Sequence, residues 1–121
     1  MINFNDFSFH DSTVINIKTK NDSLFISLED VKNSSGEKIK GEIVLKGISK
    51  ISVDEERVDA ISQVYSLGVL IDLEATENNL SIIVAWHDFK PKKSLTLAYS
   101  IDAKSVDWIA HDKQLEDVEN D

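Results

Sequence analysis

Leu67-Gly68-Val69-Leu70-Ile71-Asp72-Leu73-Glu74-Ala75, Leu80-Ser81-Ile82-Ile83-Val84-Ala85-Trp86-His87 and Leu95-Thr96-Leu97-Ala98-Tyr99-Ser100-Ile101 follow one another almost without pause. Each alternates along its length, and a period of two places odd and even residues on opposite faces of a sheet. The stretch therefore reads as three consecutive strands. A turn at Glu77-Asn78 brings Val69, Ile71, Leu73 and Ala75 beside Leu80, Ile82, Val84 and Trp86, so that all of them share one apolar face. The other face carries Asp72, Glu74, Ser81, His87, Thr96 and Ser100, mixed with Leu70, Ile83 and Ala85. Pro91, the sole proline, falls in the loop from Asp88 to Lys93, so no strand interior is broken.

Upstream, Thr13–Lys20 and Ser23–Glu29 flank Asn21-Asp22, two residues that tolerate the left-handed backbone of a tight hairpin. Ile15 and Ile17 are expected to face Leu24, Ile26 and Leu28. Phe4, Phe7 and Phe9 suggest a docked N-terminal arm. Lys32 to Lys38 is a polar loop. Residues 39–53 then read as one strand, or as two with a break at Gly47. Ser52-Val53-Asp54-Glu55 has the form of a capping box, with Val58, Ile61 and Tyr65 following at helical spacing. This predicts one short helix near 54–65. Val106 and Trp108 share strand parity, although their segment also suits a helical turn. The expected architecture is mainly β: an antiparallel curved sheet, or a two-layer sandwich, of six to seven strands. Residues 1–111 are read as one β-rich domain and 112–121 as an acidic, frayed tail.

The net charge is −9, and its placement is more informative than its total. Residues 1–53 hold seven acids and seven lysines, whereas 54–88 hold eight acids and only Arg57. Such a field repels phosphate backbones and favours basic partners. Lys90-Pro91-Lys92-Lys93 is a lone basic cluster and reads as a solvated hairpin tip, so no nucleic-acid partner is expected. With no cysteine, thiolate chemistry and cysteine-held metals are excluded. That absence fits the cytosol, and the N-terminus lacks the basic and apolar regions of a signal peptide. The apolar runs fall far short of the ~20 residues that a membrane-spanning helix needs, so a cytoplasmic location without membrane contact is expected.

Three histidines precede aspartates: His10-Asp11, His87-Asp88 and His111-Asp112. Neighbours in a strand point to opposite faces, so these dipeptides do not chelate one ion readily. No nucleophile elbow and no phosphate-cradling glycine loop occurs. No cofactor and no metal is called for.

Phe9-His10-Asp11-Ser12, then Val14 and Ile17, then Leu24, Ile26, Leu28 and Glu29, and finally Leu45-Lys46-Gly47-Ile48, form a recognisable series. It resembles the opening of a group of small bacterial β-rich proteins, some of them similar to immunity proteins encoded beside polymorphic toxins. The resemblance spans about residues 7–48. It implies that Phe9, His10, Asp11 and Ser12 are a structural signature at the entry to the first long strand, and it carries no catalytic residues.

The resulting expectation is a non-catalytic protein-binding module, most concretely an immunity-type inhibitor that occludes a basic toxin. Asp54, Glu55, Glu56, Asp59, Asp72, Glu74 and His87 are the expected partner-binding residues. The alternatives are a structural or homodimeric β-domain that uses a strand edge or the semi-polar face, and a hydrolase built on His10 or His87.

Overall fold

The computed structural model describes residues 4–111; the predicted frayed tail, 112–121, lies outside them. The chain is mainly β: one open antiparallel sheet of nine strands, more than the six to seven expected. In chain order these are β1 (Thr13–Lys20), β2 (Ser23–Lys32), β3 (Lys38–Lys46), β4 (Lys50–Val53), β5 (Glu56–Val58), β6 (Leu67–Ala75), β7 (Asn79–Phe89), β8 (Lys92–Asp102) and β9 (Ser105–His111). Their order across the sheet is β5-β4-β8-β7-β6-β1-β2-β3-β9. The only helical element among the described residues is a 3-10 turn, Phe4–Asp6, and none of them forms a helix long and apolar enough to cross a membrane.

With no covering helix among the described residues, the sheet buries its apolar face against itself. It does so here by curling, so that β9 packs across β7 although the two are far apart in sheet order. The resulting core draws Leu24, Ile26 and Leu28 from β2, Ile43 and Leu45 from β3, Val106 and Trp108 from β9, and Leu80, Ile82, Val84 and Trp86 from β7. Phe7 and Phe9 pack edgewise on Trp108, with ring centroids 5.7 and 5.0 Å away. This docks the N-terminal arm as the sequence suggests.

Both tryptophans are buried, and each lies over a glycine in the adjacent strand. A Cβ on Gly68 would stand 2.7 Å from the Trp86 ring, and one on Gly41 would stand 2.7 Å from the Trp108 ring. Each indole thus occupies the space that a side chain on the neighbouring strand would fill. Trp86 Nε1 also donates to the Tyr99 hydroxyl at 2.8 Å. Burial pushes that hydroxyl above its ordinary ionisation range; the Trp86 N–H pulls it back and Asp54 pushes it further up.

Two consequences follow for Tyr99. Tyr99→Phe strands the buried indole N–H and is expected to cost about 1–3 kcal/mol in denaturant melts. The wild type also holds this proton more tightly when folded than when unfolded. The Tyr99 contribution is therefore complete below the ordinary value of 10.0 and is lost as pH rises above it. The alkaline limb of the stability curve should be shallower in Tyr99→Phe.

Three expectations are corrected. First, no helix forms at 54–65. Ser52-Val53-Asp54-Glu55 is instead the end and turn of the β4–β5 hairpin, with Val53 paired to Glu56. Asp54 and Glu55 adopt φ of 52° and 74°, as a two-residue turn of the I′ kind requires. The hairpin prevails because β4 gains a partner in β8, from Lys50↔Asp102 to Val53↔Tyr99. Asp54 extends that pairing: its N–H donates to Ala98 O at 2.8 Å and its carboxylate accepts from Ala98 N at 2.9 Å.

Second, Val69 and Ile71 do not share the core face. A bulge between Leu70 and Asp72 shifts the register of β6. It sends Leu70 inward and leaves Ile71 exposed, while Leu73 and Ala75 beyond it return to the core side. Third, a bulge between Val14 and Asn16 in β1 buries Val14 and turns Ile15 outward. The two bulged strands are neighbours, joined only by Thr13↔Val69 and Val14↔Gly68.

Candidate functional site

The outer face of the sheet half formed by β6, β7, β8 and β4 is laid out in cross-strand rows. One row runs Glu74, Ser81, Ser100, Ser52; the next runs Asp72, Ile83, Ala98. Both rows follow from simple alternation, since the intervening residues Ile82, Tyr99 and Ile51 are in the core. The rows form the floor of an open groove of about 540 Å³, which Glu55 at the β4–β5 turn and Lys50 also border. Three carboxylates and one ammonium group therefore border a floor of serines, Ala98 and Ile83.

The end of the floor near the Ser81 row is held by side-chain hydrogen bonds. Asn79 donates to Asp102 Oδ1 at 2.7 Å and to Ser100 Oγ at 3.2 Å, and Ser81 Oγ donates to Asn79 Oδ1 at 3.0 Å. These serines are thereby committed to the sheet surface. An arrangement of hydroxyls, aliphatic residues and exposed carboxylates suits the docking of basic side chains.

Of the expected partner-binding residues, Glu55, Asp72 and Glu74 meet at this groove. Asp54 adjoins it, but its carboxylate is engaged by Ala98 N–H. Glu56 opens the edge strand β5 and Asp59 follows it; both are exposed. His87 shares the outer face but sits four residues along β7 from Ile83, about 13 Å at strand rise, where Nδ1 lies 3.0 Å from Ser94 Oγ. The neighbouring acid, Asp88, accepts Ser66 Oγ at 2.9 Å instead. Among the described residues, Asp88 therefore pairs with Ser66 while His87 pairs with Ser94. Among the described residues, no group of three or more His, Cys, Asp or Glu side chains is placed to hold a metal ion.

Lys50, Ser52 and Ala98 were missed as site residues. Residues 39–53 read as strand from the sequence, and Lys50 and Ser52 alternate there with Ile51 and Val53; the pairing with β8 that carries them to this face had no local signal.

The Phe9-His10-Asp11-Ser12 signature is a turn clasped to the β6 bulge. Ser12 is fully buried and its Oγ donates to Phe9 O at 2.7 Å. Asp11 has φ of 70°, its N–H donates to Leu70 O, and Leu70 N–H donates to Ser12 O, both at 2.8 Å. His10 Nδ1 lies 2.7 Å from the carbonyl oxygen of bulged Ile71. Below this clasp a second groove, of about 570 Å³, separates the arm residues Phe4, Phe7 and Phe9 from Asp72, Leu73 and Glu74 of β6. Asp72 and Glu74 border both grooves and form the ridge between them.

Fold and site together define a small open antiparallel sheet with an acidic, hydroxyl-floored outer face. No protein-family model, curated protein or solved structure matches the chain.

Proposed function

We propose that the chain is a non-catalytic protein-binding module whose partner is basic, and that its most concrete role is that of an immunity-type inhibitor covering the working surface of a basic toxin. The observation that carries this reading is the gathering of Glu55, Asp72 and Glu74 around one open groove, with Lys50 the only cation among its described lining residues. The eight acids against one base in residues 54–88 support it, because a one-signed field speeds encounter with an oppositely charged surface. The resemblance of residues 7–48 to immunity-like proteins points the same way.

Affinity capture from the cells that make the chain tests the proposal. Wild type should retain a basic protein that Asp72→Lys/Glu74→Lys releases, with association slowing steeply as salt rises. Each reversed charge at a close pair should cost about tenfold or more in affinity. Equal retention by wild type and variant, with no salt dependence, would remove the acidic face from the account.

A further inference from the structure

Strand β6 has one edge paired along its length except at the Ile71 bulge, and one edge half paired. On the β7 side it is matched from Leu67↔His87 to Ala75↔Leu80. On the other side β1 reaches only Gly68 and Val69, and the Phe9–Ser12 turn extends the cover to Leu70 and Ile71. From Asp72 to Ala75, no strand among the described residues lies along this edge.

Which backbone groups face the gap follows from ladder alternation. Thr76 N–H donates to Asn79 O at 2.8 Å, so Thr76 is turned toward β7. Glu74, opposite Ser81, and Asp72, opposite Ile83, are turned the same way. Leu73 and Ala75 therefore direct N–H and C=O into the gap. Leu70, across the bulge, has the same orientation and is satisfied by Ser12 O and Asp11 N; among the described residues, no backbone group does this for Leu73 and Ala75.

The gap also has a far wall, the Phe4–Phe9 arm, across the second groove. A strand seated there would alternate. Its inward residues would meet the partly buried Leu73, Ala75, Phe4 and Phe7, and its outward residues would flank the exposed Asp72 and Glu74.

We infer that the Asp72–Ala75 edge is a β-strand addition site, and that its occupant is an extended segment of another protein in which apolar residues alternate with lysine or arginine. The inference rests on the basic partner proposed above and specifies how it docks. Main-chain hydrogen bonds supply affinity in this mode, and alternate side chains supply specificity. Charge selects among occupants. A second copy on the same edge would set Asp72 and Glu74 against their own counterparts. Residues 112–121 of the chain itself carry five acids and one lysine. Like charges across a strand pair are destabilising.

The test uses the full chain, ¹⁵N-labelled, and a synthetic seven-residue peptide alternating lysine and valine, blocked at both ends. On titration the Leu73 and Ala75 amides should shift and their solvent exchange should slow. The same peptide N-methylated on the backbone amides that face β6 should bind about tenfold more weakly or worse. Ala75→Pro removes one outward N–H at a position of the kind proline tolerates, and should weaken the plain peptide to a similar degree. Equal binding of plain and N-methylated peptides, both abolished by Asp72→Lys/Glu74→Lys, would overturn strand addition while leaving the basic-partner reading intact. A glutamate–valine peptide binding as well as the lysine one would overturn both. No binding of the lysine peptide below about 1 mM would overturn the inference, as would a dimer in light scattering that the peptide dissociates, since the edge would then belong to a second copy.

Discussion

Trp86→Ala lowers the free energy of unfolding by about 3–5 kcal/mol, the range for truncating a large buried aromatic. Three losses coincide at this position. The side chain has no exposed surface, so its whole apolar area and the cavity left behind count against the variant. Its N–H no longer reaches the Tyr99 hydroxyl, which is left buried without that donor. Gly68 loses the ring that covers it. Domains of this kind hold roughly 5–15 kcal/mol in total, so the variant should melt far below the wild type in a denaturant series. Trp86→Phe keeps part of the cover over Gly68 and loses the hydrogen bond, and should fall between the two. A midpoint within about 0.5 kcal/mol of wild type for Trp86→Ala would mean that the β6–β7 core is not organised around this ring.

Gly41→Val has the second large effect, expected at about 3 kcal/mol or more because it overpacks a site that has no room to give. A Cβ there meets the Ile109 carbonyl oxygen as well as the Trp108 ring. Backbone in the β3–β9 ladder cannot move aside without breaking pairs from Lys40↔His111 to Lys46↔Ser105. Gly68 differs in kind, since the nearest atoms to its Cβ position all belong to Trp86. The two sites should therefore respond differently to a second substitution. Gly68→Ala/Trp86→Leu should be less damaging than the sum of its parts, because shortening the side chain relieves the clash. Gly41→Ala/Trp108→Leu should show no such relief, because the Ile109 carbonyl remains. Double-mutant cycles in urea would reveal the contrast.

The sequence was most legible where local chemistry and long-range pairing agree. Asn21-Asp22 turns the β1–β2 hairpin as expected, with Asn21 at φ of 57°. The β7 alternation predicts Leu80, Ile82, Val84 and Trp86 as core, and all four are buried; of the β8 set Leu95, Leu97, Tyr99 and Ile101, the last two are buried, Leu97 is half-buried and Leu95 is exposed. Gly47, at φ of 69°, separates β3 from β4. Legibility failed where tertiary context overrides a local pattern. Ser52-Val53-Asp54-Glu55 satisfies a capping box on its own; only its pairing with β8, a segment some 45 residues on, makes it a hairpin. The β6 bulge is likewise invisible to a period-two reading, which continues through Ile71 and assigns Val69 and Ile71 to the wrong face. The one hint was Gly68, a residue with no side chain opposite a tryptophan.

The candidate site divides along the same line. Asp72, Glu74, Ser81 and Ser100 lie beyond the bulge or on unbulged strands, so alternation placed them on one face correctly. Lys50 and Ser52 join them only through the β4–β8 pairing, and the open edge at Leu73 and Ala75 exists only because β1 leaves β6 after Val69. The resemblance implies that Phe9-His10-Asp11-Ser12 is a structural signature. Its task, closing the β1–β6 junction over Leu70 and Ile71, needed the register of both strands.

The most direct test of the acidic-face account is hydrogen exchange on the captured complex, compared with the free chain. The account predicts slowed exchange in β6 between Asp72 and Ala75, accompanied by protection around Ser81, Ser100 and Ser52. Protection confined to β2, β3 and β9, with the β6 amides exchanging as in the free chain, would contradict it.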